Sequence, residues 1–244
     1  ANLGKPYFLS RPRRFGKSLL LSTFKAYFQG KKELFEGLAI EKMETEWNEY
    51  PVLHLDLNAE KYDSSEKLHE ILSRQLSQWE LQYGKGIDEN TLSGRFAGVI
   101  YRAYEQTGQQ VVVLVDEYDK PLLQAITHLE LLEDYRQTLK AFYGVLKSAD
   151  PYLRFVFLTG VTKFSQVSVF SDLNQLNDIS LDYSYATLCG ITREELESTF
   201  EPEIETFGLK NNQTPAEVVT AMERNYDGYH FHPDGAGVFN PFSV

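Results

Sequence analysis

A glycine followed by lysine and serine, where a short apolar stretch gives way to a helix-forming one, leaves a chain few folds to choose from. Here the run is Arg11-Pro12-Arg13-Arg14-Phe15-Gly16-Lys17-Ser18. Pro6 to Ser10 before it is apolar-rich, and after it Leu20, Phe24, Tyr27 and Phe28 recur at helical spacing. Strand, loop and helix in that order predict a phosphate-binding loop. The first N–H groups of a helix have no intrahelical acceptor, and they sit at the positive end of its dipole. Arg13, Arg14, Phe15, Gly16, Lys17, Ser18 and Leu19 are the candidate phosphate-binding residues. Gly16 lets the backbone approach without a side-chain clash. Lys17 is placed to reach the β and γ phosphates as a catalytic cation, and Ser18 to ligate Mg²⁺. Arg11 stands where the generic loop has a glycine, which puts the tight entry turn in question, while Arg13 and Arg14 add charge that the plain motif lacks.

A second element gives the loop its meaning. Val111-Val112-Val113-Leu114-Val115 is a continuous apolar run of the kind found in strands covered on both faces, and it ends in Asp116-Glu117. Asp116 is the candidate Mg²⁺ ligand, acting through water, and Glu117 the candidate general base for an attacking water. Thr159 ends the next strand and is a candidate catalytic contact to the γ phosphate or that water, with Thr162 and Lys163 close enough in sequence to share the role. Thr162-Lys163-Phe164-Ser165 lacks the Asp that a guanine-recognition motif needs at its last position, which favours ATP over GTP.

The remaining pattern alternates strands with helices. Val52 to Leu57 reads as a strand and Ser65 to Gln82 as a helix, with Asp63 and Glu66 as a capping pair. Leu132, Tyr135, Leu139, Phe142, Tyr143 and Leu146 form a helical stripe, Leu153 to Thr159 returns as a strand, and Ile179-Ser180-Leu181 is a weaker fifth. This predicts an α/β fold, the three-layer P-loop NTPase arrangement with a mostly parallel sheet and helices on both faces. Residues 1–186 are expected to form the ATPase core and 187–244 a small helical lid, with helix starts at Thr192/Glu195 and Thr214-Pro215/Glu217. Asp-Gly turn signals between Tyr226 and Gly235 suggest a terminal hairpin with Val238-Phe239.

Composition excludes several classes. No segment approaches the roughly 20 apolar residues needed to span a bilayer, and the net charge of −11 argues against a generally basic nucleic-acid surface. The charge is uneven: residues 1–32 carry eight Lys or Arg and no acid, whereas Arg193 to Glu205 carries six Glu against one Arg. Only weak, salt-sensitive nucleic-acid binding is expected. One cysteine, Cys189, excludes an internal disulfide framework and fits a reducing cytoplasm. No neighbouring His or Asn supports Cys189 as a nucleophile, and His54 with Asp56, or His230 with His232, lack a third convergent metal ligand.

Phe8 to Ser18 strongly resembles the bacterial AAA-ATPase-like family, as do Val115-Asp116-Glu117-Tyr118-Asp119-Lys120-Pro121, Phe157 to Phe164, Tyr226-Asp227-Gly228-Tyr229 and Asn240-Pro241-Phe242-Ser243. The resemblance covers almost the whole chain. It implies that Arg at position 11 is a family trait, that Gly16, Lys17 and Ser18 are the Walker A residues, and that Asp116 and Glu117 are the Walker B residues. It also implies a frequent fusion to a restriction-endonuclease-like domain with an acid-x-Lys element. No lysine here has an acid two residues before it, so such a domain is expected beyond Val244, and the segment reads as an excised ATPase module. The leading expectation is an Mg²⁺-dependent ATPase that serves as a switch or motor for an attached effector, as a homo-oligomer or a fusion. A nucleotide-binding regulatory module with little turnover is the alternative. A small-molecule kinase would need an Arg-rich lid, which the acidic stretch after residue 193 does not resemble.

Overall fold

A computed structural model describes residues 6–58, 60–162, 176–226 and 228–243. Lys163, Phe164, Ser165 and Asp227, named above, lie outside the described residues. The chain divides into two compact units, one of residues 1–10 and 18–177, the other of residues 11–17 and 178–244.

The first unit holds the main sheet. In order along the chain come β1 (Tyr7–Ser10), α1 (Lys17–Phe28), α2 (Ala39–Met43), β2 (Val52–Asp56), α3 (Ser65–Tyr83), α4 (Leu92–Thr107), β3 (Val111–Asp116), α5 (Lys120–Gln124), α6 (Leu129–Ser148), β4 (Leu153–Gly160) and β5 (Asn177–Asp178). The sheet order is β2-β3-β4-β1-β5. The β1–β4, β2–β3 and β3–β4 pairs are parallel. Sequence-adjacent β1 and β2 are thus separated by β3 and β4, and the carboxyl ends of β1, β4 and β3 lie side by side, where open α/β sheets bind ligands.

Strand alternation shows why both faces are covered. Val111, Val113, Val115, Val156 and Leu158 join one apolar cluster with Leu72 and Leu76 of α3, Phe96 and Val99 of α4, and Leu139 and Phe142 of α6. The alternate residues Phe155 and Phe157 face the other way and meet Phe24 of α1 edge-on at 5.3 and 5.0 Å. Period-2 alternation with apolar residues at every position is what a sheet between two helical layers demands. The architecture is the three-layer P-loop NTPase-like fold expected from the sequence.

Helix α4 adds an element to the sequence expectation: Phe96, Val99, Ile100 and Ala103 recur at helical spacing and are buried, and charge ties the helix to α3. Arg95 pairs with Glu80 at 2.7 Å and also donates to the Ser73 and Ser77 hydroxyls, while Arg102 pairs with Glu89 of the loop between the two helices. Two sequence expectations shift. The N-cap of α3 is Ser64, not Asp63, because Ser64 is the last residue in extended conformation. The fifth strand is Asn177–Asp178 rather than residues 179–181, with the Asn177 N–H donating to the Pro6 carbonyl at 2.7 Å.

The second unit contains β6 (Ile191–Thr192), α7 (Arg193–Thr199), α8 (Glu201–Asn211), α9 (Pro215–Tyr226) and β7 (Val238–Phe239). Thr192 and Glu195 form a reciprocal capping box, as do the Thr214 and Glu217 hydrogen bonds at the start of α9. Val238-Phe239 does not form its ladder with the segment before it. It pairs antiparallel with Ile191-Thr192, and among the described residues Tyr229 bridges back to Val238. This pairing buries Phe239 against Leu196, Ile204, Val218 and Val219, apolar surface that a local hairpin would leave in water.

Candidate functional site

Arg11 to Lys17, which include the phosphate-loop candidates Arg13 to Lys17, belong to the second unit, and their side chains explain the loop's departure from the generic motif. Arg11 is 1% exposed. Its guanidinium donates to the carbonyls of Ser180 at 2.7 Å, Tyr185 at 2.8 Å and Leu188 at 3.0 Å, and lies 3.8 Å from the centre of the Phe231 ring. Burial pulls its pKa down to about 10, partly opposed by Cys189 and Asp178. The residue that replaces a loop glycine is therefore a cross-link to residues 180–188.

Phe15 is buried and meets Tyr229 and Phe231 edge-on at 4.7 and 5.5 Å. Arg14, at φ 68°, stacks its guanidinium 3.9 Å over the Phe242 ring, so the extra charge expected for phosphate is directed onto an aromatic face. Arg13 is exposed. Gly16 has φ 83° and open space where a Cβ would stand, so backbone conformation rather than room requires glycine there. The buried Lys17 ammonium donates to the Arg11 and Pro12 carbonyls at 3.0 and 3.1 Å, folded onto the start of its own loop. Ser18 and Leu19 belong to the first unit, where both are exposed on the first turn of α1.

The acidic candidates lie in the first unit, at the carboxyl ends of β3 and β4. Asp116 is buried and accepts the Thr159 hydroxyl at 2.6 Å. Glu117 has φ 53°, a left-handed conformation that costs a non-glycine residue about 1–2 kcal/mol. Its backbone is held from both sides: the N–H points at Thr159 Oγ1 at 3.4 Å and the carbonyl accepts the Lys120 N–H at 3.0 Å. Such strain persists only where the surroundings over-determine it, and it clusters at functional sites. Thr159, expected to touch phosphate or water, is fully buried, and its hydroxyl is engaged by Asp116. It holds the Asp116 carboxylate and the Glu117 backbone.

Asp119 lies in the Val115–Pro121 stretch that carries the family resemblance, but sequence alone assigns it no role. It is fully buried, and its carboxylate accepts the Val161 N–H at 3.0 Å, the Thr162 N–H at 2.7 Å and the Thr162 hydroxyl at 2.5 Å. These bonds tie the turn after β4 to the turn after β3. Gly160 makes the approach possible: a Cβ there would lie 2.5 Å from Tyr118 Cε1 and 2.9 Å from Asp119 Oδ1. The available signal was a second aspartate three residues after Asp116, matched by a glycine directly after Thr159.

The other candidates are structural. Burial raises the Cys189 thiol pKa, which keeps it protonated and poorly nucleophilic. His232 Nδ1 accepts the Asp234 N–H at 3.1 Å. His54 is half-buried with its pKa lowered, by burial first and then by the Lys25 charge.

The family described as "Predicted AAA-ATPase" matches residues 1–170, which include the loop, the acidic strand end and Thr159. The chain belongs to this AAA-ATPase-like family. The family's description points to ATP as the ligand class. An uncharacterized protein in the vnfD 5′ region of Azotobacter chroococcum mcd 1 is 38% identical over 241 residues, 99% of this chain and 44% of the relative. The chain thus spans less than half the length of that relative. Among the described residues, no helix of this AAA-ATPase-like chain is long and apolar enough to cross a membrane.

Proposed function

We propose that this chain binds Mg-ATP and hydrolyses it to ADP and phosphate, as a switch or motor for an attached or associated effector. The observation that carries the reading is the acidic pair. Asp116 is fixed by Thr159, and Glu117 is held in a strained backbone at the end of a buried strand. In this reading Gly16 to Leu19 offer backbone N–H groups to the phosphates, with Arg13, Arg14 and Phe15 shaping the approach. Lys17 leaves the Arg11 and Pro12 carbonyls for the β and γ phosphates.

The donor set suits Mg²⁺, which takes hard oxygen ligands and keeps several waters: the Ser18 hydroxyl is exposed and the Asp116 carboxylate is pre-oriented. When bound, the ion neutralises developing charge on the phosphate oxygens. Glu117 accepts a proton from the attacking water, and Thr159 positions the acids rather than the phosphate. Residues 187–244 serve as a lid. Oligomerisation or a fused domain supplies the effector, nucleic-acid contact is weak, and the setting is cytoplasmic.

Lys17 folded onto its own loop favours one alternative, a regulatory module that binds nucleotide but turns it over only when a partner supplies the missing group. Thermal shift with Mg-ATP and phosphate release, on wild type, Lys17→Ala and Glu117→Gln, separates these. The ATPase reading expects shifts for wild type and Glu117→Gln, none for Lys17→Ala, and phosphate from wild type alone. At a hundredfold excess over Kd the ligand adds about 2.7 kcal/mol, or about 5–10 °C. No shift in wild type would refute the site.

A further inference from the structure

Two motifs quoted from the sequence, Tyr226-Asp227-Gly228-Tyr229 and Asn240-Pro241-Phe242-Ser243, have no part in the chemistry above, yet three loop residues end on aromatic rings in or near them. Phe15 meets Tyr229 and Phe231 edge-on, Arg11 stacks on Phe231, and Arg14 stacks on Phe242. All lie within the second unit. In the generic loop, glycines let the backbone wrap unaided. This loop has Arg at its first position and a left-handed Arg14, so its shape is imposed through side chains from outside.

We infer that residues 229–242 are positioning residues for the nucleotide loop, and that loop and segment respond to nucleotide as one coupled element. This rests on the ATP reading given above. If the segment pre-organises the loop, loosening the segment weakens ATP binding, and by linkage ATP must tighten the segment by the same factor. The effector switch then has a physical output: nucleotide occupancy is reported by the order of residues 229–242.

Phe242 is the informative place to cut. Its ring is 66% exposed, so its loss removes little buried surface and leaves the fold standing, while Arg14 loses its cation–π partner. Leucine keeps the bulk but has no π face, and tyrosine keeps the face. The first readout needs no nucleotide: trypsin cuts after Arg13 or Arg14 when the loop opens. We expect cleavage there to be several-fold faster in Phe242→Leu than in wild type, with Phe242→Tyr close to wild type and all melting temperatures within about 2 °C. The second readout is the Kd for Mg-ATP, raised about two- to fivefold in Phe242→Leu and restored in Phe242→Tyr. Amide exchange in 229–242 should slow when ATP is added to wild type.

Wild-type cleavage and wild-type ATP affinity in Phe242→Leu would overturn the inference. So would a Phe242→Tyr variant as impaired as Phe242→Leu, since the ring face would then be irrelevant. If cleavage responds as expected but wild type itself binds no Mg-ATP, the loop clamp stands, and it is the nucleotide site and its coupling that fall.

Discussion

Replacing Arg11 by glycine restores the generic loop at its first position, and sequence logic alone would forecast a neutral or improved nucleotide loop. The structure forecasts damage. Three carbonyls, on Ser180, Tyr185 and Leu188, accept from one buried guanidinium, and Phe231 stacks on it. Hydrogen bonds to charged groups contribute about 1.5–3 kcal/mol each. Part of that gain is offset by the cost of burying the charge, which is why the Arg11 pKa falls to about 10. Removing the guanidinium leaves three carbonyls without that donor, at about 1–3 kcal/mol for each that stays buried, offset in part by the released cost of burying the charge, and glycine adds about 0.5–1 kcal/mol of backbone entropy. A loss of about 3–6 kcal/mol is expected, or about 6–24 °C in melting temperature if the chain melts in one transition. Calorimetry gives the total, and hydrogen exchange resolved to residues 178–192 gives the place. Arg11→Lys should fall between, because an ammonium cannot match the planar fork. Melting of Arg11→Gly within about 1 °C of wild type, with unchanged exchange at residues 180–188, would refute this account.

Other perturbations test the acidic end. Gly160→Ala should cost about 1–3 kcal/mol by overpacking, seen as a lower urea midpoint; adding Tyr118→Leu should relieve part of it, and strict additivity would contradict the proposed clash. Asp119→Ala removes the acceptor of the part-buried Val161 and Thr162 N–H groups, at about 0.5–1.5 kcal/mol each, so it should destabilise by about 1–3 kcal/mol, with Asp119→Asn milder; an unaffected unfolding curve would show that the turn does not need the carboxylate. His54 has its folded pKa depressed below 6.5, so its stabilising effect is present above that value and lost as pH falls through the folded value. His54→Leu should therefore lose less stability than wild type between pH 7.5 and 5.5, and parallel pH profiles would rule out His54 as a contributor.

The layered α/β class, the strand–loop–helix around Gly16, and the strand that ends in Asp116-Glu117 were all legible from sequence, because each rests on short-range periodicity or on local helix-end chemistry. Capping at Thr192/Glu195 and Thr214/Glu217 was equally local. Strand order was not, since it depends on which apolar faces find cover. The same non-local demand paired Val238-Phe239 with Ile191-Thr192. Side-chain roles were least legible. Thr159 meets Asp116 across 43 residues, and Arg11 reaches Ser180 across 169. Sequence by itself determined that this chain folds around a glycine-lysine-serine loop and a buried acidic strand end. Tertiary structure alone decided that Thr159 and Asp119 hold the acidic turn and that Arg11, Arg14 and Phe15 turn to distant carbonyls and rings. The reason is that a buried polar or charged group takes whatever partner the fold brings within hydrogen-bond reach, and no local pattern records which one that is.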